Sequence, residues 1–130
     1  MAIRVKWDET QQHVMCWEFV GQWSLDDLIT AGQHTGQLLR EAASQPVDFM
    51  IDVSQGGLIP PRLISYLRQT RLARHPREGL KIIVGADQYL RIFFKEFLRY
   101  APEHWDIRFA DTYEEARAMI IAQRPSLSRS

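Results

Sequence analysis

Apolar and polar positions alternate along Ile3–Trp7, and Val14–Val20 is rich in β-branched and aromatic residues; both read as strands. The polar run Asp8–Gln12 between them predicts an antiparallel hairpin, and Gly21 breaks its second strand. From Leu25 the apolar spacing changes to a helical period. Leu25, Leu28, Ile29, Gly32, Gly36 and Leu39 fall on one face of a helix over 25–43. Ser24, three residues before Asp27, supplies its N-cap pattern. Gly32 and Gly36 form a GxxxG whose flanks are too polar for a lipid setting, so it predicts close packing of helix on sheet.

Val47–Val53 is nearly continuous in apolar residues, the mark of a central strand. The loop Ser54–Ile59 leads to Pro60-Pro61, and Pro61 suits the first turn of a helix over 62–75, stopped by Pro76 and Gly79. Lys81–Ala86 is a strand, 88–100 a helix ended by Pro102, and Asp106–Ala110 the last strand. Either Thr112 with Glu115 or Asp111 with Glu114 caps a final helix that fades near Arg124-Pro125. The small, polar stretch 126–130 reads as a frayed tail after one domain over 1–125. Three strand runs, ending at Asp52, Asp87 and Asp111, stop at an aspartate and hand over to a helix. That rhythm predicts an α/β domain with parallel strands, because a parallel pair needs a crossover between its members. Such sheets bind ligands at the carboxyl ends of their strands.

Composition narrows the classes. A chain of 130 residues, 45% hydrophobic and 25% charged, is an ordinary globular domain able to bury its own core. No apolar run approaches the roughly 18 residues of a membrane span, and the segment Met1–Trp7 lacks the long apolar stretch of a secretory signal. One cysteine, Cys16, precludes an internal disulfide and fits a reducing, cytoplasmic setting. His13, His34, His75 and His104 are scattered, and none stands at a metal-ligand spacing from Cys16, so neither metal nor cofactor is expected. The net charge of zero conceals an asymmetry: −5 over residues 1–59, +6 over 60–100 and −1 over 101–130. Zero net charge argues against nonspecific nucleic-acid binding, while the asymmetry favours an acidic protein partner or self-association.

The order of two N-terminal strands, a long helix and then repeated strand–helix units carries a resemblance. Together with Phe19-Val20-Gly21-Gln22-Trp23-Ser24, Phe49-Met50-Ile51-Asp52-Val53-Ser54 and Ala110-Asp111-Thr112-Tyr113-Glu114-Glu115-Ala116, it resembles the STAS-like family over about residues 3–124. That family includes the anti-sigma-factor antagonists and is akin in fold to the lipid-binding CRAL-TRIO domains. The resemblance implies a mixed sheet of four to five strands with about four helices, mainly on one side. The antagonists carry a phosphorylated serine in an Asp-Ser-Ser-Gly type run after the strand matching Val47–Val53. Here that stretch reads Gly56-Gly57-Leu58-Ile59-Pro60-Pro61, without a hydroxyl residue, and Ser54 reads as a turn serine.

Few residues promise chemistry. Asp52 and Asp87 are placed to share a crevice at the strand ends, but helix capping accounts for Asp87 and Asp111. Pro60 and Pro61 remove two N–H donors that a phosphate cradle needs, and Cys16 sits mid-strand, away from any helix N-terminus. No enzyme is predicted. The 62–75 helix shows Leu63, Tyr66, Leu67, Thr70 and Ala73 to the core, and Arg68, Arg71 and His75 outward beside Ile64 and Leu72. On the 88–100 helix Arg91, Lys95 and Arg99 form a basic stripe opposite Tyr89, Leu90, Phe93, Phe94, Phe97, Leu98 and Tyr100, with Ile92 outside that arc. The primary expectation is a non-catalytic interaction or regulatory module. Arg68, Arg71, Arg91, Lys95 and Arg99 are its charge contacts, and Ile64 and Leu72 its apolar anchors. The alternative is a carrier of a small apolar or acidic, lipid-like ligand. Its site would lie under the 88–100 helix, lined by Phe93, Phe94 and Phe97 with Asp52 and Asp87 nearby.

Overall fold

Five strands form one mixed sheet in the order β1-β2-β3-β4-β5. They are β1 (Ile3–Trp7), β2 (Val14–Gly21), β3 (Val47–Gly56), β4 (Glu78–Val84) and β5 (Ile107–Ala110). The computed structural model describes residues 2–42, 46–63, 65–66, 78–99 and 106–123. Among them are three helices, α1 (Leu25–Glu41), α2 (Gln88–Phe97) and α3 (Tyr113–Gln123). Only the β1–β2 hairpin is antiparallel; β2 to β5 pair in parallel.

That strand order decides where the helices lie. Each parallel connection moves one position in the same direction, and right-handed crossovers in one direction all fall on one face of a sheet. Accordingly α1 and α2 share a face. Leu28, Leu90 and Phe93 pack there against Phe19, Val53 and Ile83, while Leu39 packs with Met15, Val47 and Phe49. The final helix, α3, covers the other face. Ala116 and Ile120 of α3 pack on Val14, Cys16, Met50 and Ile82. Side-chain alternation along β3 therefore sends Phe49, Ile51 and Val53 toward α1 and α2, and Met50 and Asp52 toward α3.

The local signals act as their chemistry dictates. Ser24 closes a full capping box: the Asp27 N–H donates to Ser24 Oγ at 3.1 Å and the Ser24 N–H to Asp27 Oδ2 at 2.9 Å. Asp87 caps α2 by accepting from the Leu90 N–H at 2.9 Å. Of the two candidate caps for the last helix, Thr112 is the one used, with its Oγ1 accepting from the Glu115 N–H at 3.1 Å. Gly85 turns the chain from β4 into α2 at φ +75, and an added Cβ would stand 2.7 Å from that of Ser54.

Three expectations need correction. β3 continues through Ser54 to Gly56, which the sequence assigned to a loop, because Val20 and Gly21 pair with Gln55 and Gly56 beyond a bulge that places one extra residue in β3. Gly32 and Gly36 are not points of close packing. Among the described residues, a Cβ at Gly32 would meet nothing within 4 Å, and one at Gly36 only the Arg40 guanidinium at 3.6 Å. The parallel strand order also never reverses, so the sheet has no switch-point crevice at its carboxyl end. Of the helix expected over 62–75, the Tyr66 N–H donates to the Arg62 carbonyl at 2.9 Å, and residues 64 and 67–75 lie outside the described residues.

Candidate functional site: an apolar cavity on the helical face

A cavity of about 490 Å³ lies between the sheet and the layer that holds α1 and α2. Its floor is the inward side of the strands: Trp17 and Phe19 from β2, Phe49, Ile51 and Val53 from β3, Lys81 and Ile83 from β4, and Ile107 from β5. Leu28, Ile29 and Gly32 of α1 form one wall, and Leu90, Phe93 and Phe94 of α2 another. Trp23 and the Gly56–Gly57 corner close one end. The volume falls within the roughly 300–1,000 Å³ usual for small-molecule sites.

Burial along the floor shows the effect of this space. Ile51 occupies the middle of the central strand, where full burial is the rule, yet it is only half-buried. Its neighbour Ile83 is 1% exposed. The bare Gly32 position lies on the exposed rim, so the missing side chain leaves room where a larger residue would intrude.

The walls are held by specific contacts. Phe93 and Phe94 meet edge to face at 5.5 Å, Phe94 meets Phe109 at 6.1 Å, and Phe19 meets Trp23 at 5.0 Å. The Trp17 indole N–H donates to Thr35 Oγ1 at 2.9 Å, and the Thr35 hydroxyl donates to the Ala31 carbonyl at 2.8 Å. That chain satisfies the polar atoms and fixes the indole against the cavity. Lys81 is the one charged side chain among the described lining residues, 7% exposed, with Nζ 5.3 Å from the centre of the Phe49 ring.

The polar chemistry sits on the opposite face, beneath α3. Tyr113 Oη donates to Asp52 Oδ2 at 2.8 Å, while Asp52 Oδ1 accepts from the Ser54 N–H and hydroxyl at 2.9 and 2.6 Å. Burial and the Asp52 carboxylate push the Tyr113 phenol well above its ordinary range. Beside it, Arg117 donates to both carboxylate oxygens of Asp8, at 2.9 and 3.3 Å. Burial alone would raise the Asp8 carboxyl, but hydrogen bonds from Arg117 and Thr10 outweigh it and hold the carboxyl below its usual range. Burial, then the Asp8 carboxylate, pushes the Cys16 thiol up to about 11, which leaves it a poor nucleophile.

Phe93 and Phe94 line the cavity as the carrier alternative places them; Phe97 ends α2, and its side chain lies outside the described groups. Asp52 and Asp87 do not meet there. Strand alternation turns Asp52 to the α3 face, and Asp87 is an exposed cap. Of the basic stripe, Arg91 is engaged internally, donating to the Ala86 carbonyl at 3.2 Å and to Asp111 at 3.1 Å, with its guanidinium over Phe109. Arg99 pairs with Glu96 at 3.5 Å, and Lys95 is exposed. Ile64, Arg68, Arg71 and Leu72 lie outside the described residues. The sequence reading missed Trp17, Trp23, Ile51 and Lys81. One signal was available: Lys81 shares a strand face with Ile83 inside an otherwise apolar run.

No helix among the described residues is long and apolar enough to cross a membrane, and no described group of three His, Cys, Asp or Glu residues is placed to hold a metal. Among known proteins, no family model and no curated protein matches the chain.

Proposed function

We propose that this chain is a non-catalytic, STAS-like binding module that holds a small apolar molecule between its sheet and the helices α1 and α2. The observation that carries this reading is the half-burial of Ile51 at the centre of the central strand, facing a cavity of about 490 Å³. A core sealed for stability alone would close that space, since each unfilled methyl-sized void costs on the order of 1 kcal/mol. The absence of catalysis is supported by the state of the candidate groups. Asp52 is engaged by Tyr113 and Ser54, Asp87 by the α2 backbone, and the Cys16 thiol is buried and raised.

Trp17 and Trp23 line the cavity and report on its contents. Titration with decanol, dodecanol and tetradecanol is expected to change tryptophan emission saturably, with affinity rising along the series. Each added methylene contributes up to about 0.8 kcal/mol when buried. Ile51→Trp, which fills the floor, and Gly32→Leu, which occupies the exposed rim, both abolish the response. Linear, unsaturable changes with all three alcohols would remove the reading.

A second reading, docking of a partner or a second copy on α2, has its own observation. Tyr89 and Ile92 are 54% and 56% exposed on the helix that also presents Lys95, with Arg99 just past its end. Large apolar side chains beside basic ones are common interface chemistry.

A further inference from the structure

We infer that the cavity selects a ligand carrying an aromatic ring, held over an aliphatic floor between two rows of protein rings. The inference rests on the cavity being a binding site, as proposed above, and adds the chemical class of its occupant.

Half of the chain's Phe, Trp and Tyr residues border this one space. They arrive from separate elements, and ring contacts join most of them into two rows. On the β2 side, Trp17 and Phe19 meet at 6.1 Å, and Phe19 and Trp23 at 5.0 Å. On the other side, Phe93 and Phe94 of α2 meet at 5.5 Å, and Phe94 reaches Phe109 of β5 at 6.1 Å. β3 and β4 run between the rows and supply the aliphatic floor, including the half-buried Ile51. β2 and β5 stand three strand spacings apart, about 14 Å. Ring pairs favour centroids about 4.5–7 Å apart, so a guest ring midway over the floor comes within roughly that reach of both rows. Contacts inside each row hold its rings in place before any guest arrives. An aromatic guest offers them an electron-rich face and an electron-poor edge, whereas a saturated guest of the same skeleton offers burial and dispersion alone. Gln33, Tyr66 and Lys81 also border the space, so polar substituents are compatible with it. The ring is what the two rows select.

Calorimetric titration with 2-naphthalenemethanol and with its perhydro counterpart isolates aromaticity, because the two share one carbon skeleton and one hydroxyl. Burial alone favours the saturated compound, whose added hydrogens enlarge its apolar area. The aromatic compound is nevertheless expected to bind tighter by roughly three- to tenfold, the range of an aromatic pair. Its ring current should also shift the methyl proton resonances of Ile51, which places the ring over the floor. In Phe94→Leu, which keeps an apolar side chain, the aromatic advantage shrinks toward parity while affinity for the perhydro compound is retained. Equal or tighter binding of the perhydro compound by the native protein overturns the aromatic assignment and leaves the apolar site standing. Binding of dodecanol but of neither ring compound has the same meaning. Failure of all three to bind overturns the site itself. An undiminished aromatic advantage in a folded Phe94→Leu removes the two-row account. Should that variant fail to fold, the native ranking and the Ile51 shifts carry the test, and unmoved Ile51 methyls on saturation refute it.

Discussion

Asp8 and Arg117 are separated by almost the whole chain, yet their side chains pair at 2.9 Å and tie the first hairpin to the last helix. The Asp8 side chain is only 4% exposed, so removing its partner leaves a buried carboxylate short of donors. Arg117→Met is therefore expected to lower stability by about 1–3 kcal/mol. The pH dependence follows from the direction of the Asp8 shift. Its folded carboxyl lies below the ordinary value, so its stabilisation is complete above about pH 4 and is lost as pH falls through the folded value. Urea unfolding of the native chain and of Asp8→Asn should show a gap at neutral pH that narrows under acid. A gap that widens toward low pH would contradict this account. Neither residue was legible as a pair in the sequence, where 109 positions separate them.

At the scale of elements, α1 illustrates how periodicity can be right about a face and wrong about its use. The apolar stripe from Leu25 to Leu39 does face the sheet, and Ser24 starts the helix as its capping pattern requires. Gly32 was assigned to tight packing because small residues on a buried stripe usually mean close approach. The structure instead leaves open space there. Gly32→Ala is consequently expected to raise stability by roughly 0.5–1 kcal/mol, the helix-propensity gain of alanine, with nothing for the new methyl to strike. Thermal unfolding checks it, and a loss of stability would mean that the helix and sheet approach more closely than described. The same reasoning separates Asp87, a cap as its position before a helix predicted, from Asp52, whose role depends on Tyr113 arriving from α3.

For the whole molecule, charge distribution and exposed surface bear on the second reading. The −5 of residues 1–59 and the +6 of residues 60–100 are complementary between copies. Exposed Tyr89 and Ile92 supply an apolar centre on α2. If this surface joins two chains, sedimentation velocity at low ionic strength will show association that weakens with added salt and disappears in Ile92→Glu. A monomer at every concentration tested would exclude self-association. Cavity binding and surface docking use opposite sides of α2, so Ile92→Glu should leave the tryptophan titrations unchanged.

The sequence alone determined the class of fold, an α/β domain with a mixed sheet, because strand and helix periods, caps and breakers are local properties. It also determined the aromatic content of α2, since Phe93 and Phe94 stand on one arc by spacing alone. What each strand face meets was decided only by tertiary structure. A one-residue change of phase moves a side chain to the other side of a sheet, and no local pattern says which side carries α1 and α2 and which carries α3. That is why Asp52 left the proposed crevice for Tyr113, and why Lys81 came to stand in the wall of an apolar cavity. The cavity is a relation among four strands and the layer that holds α1 and α2, and such a volume exists only once their separations are set.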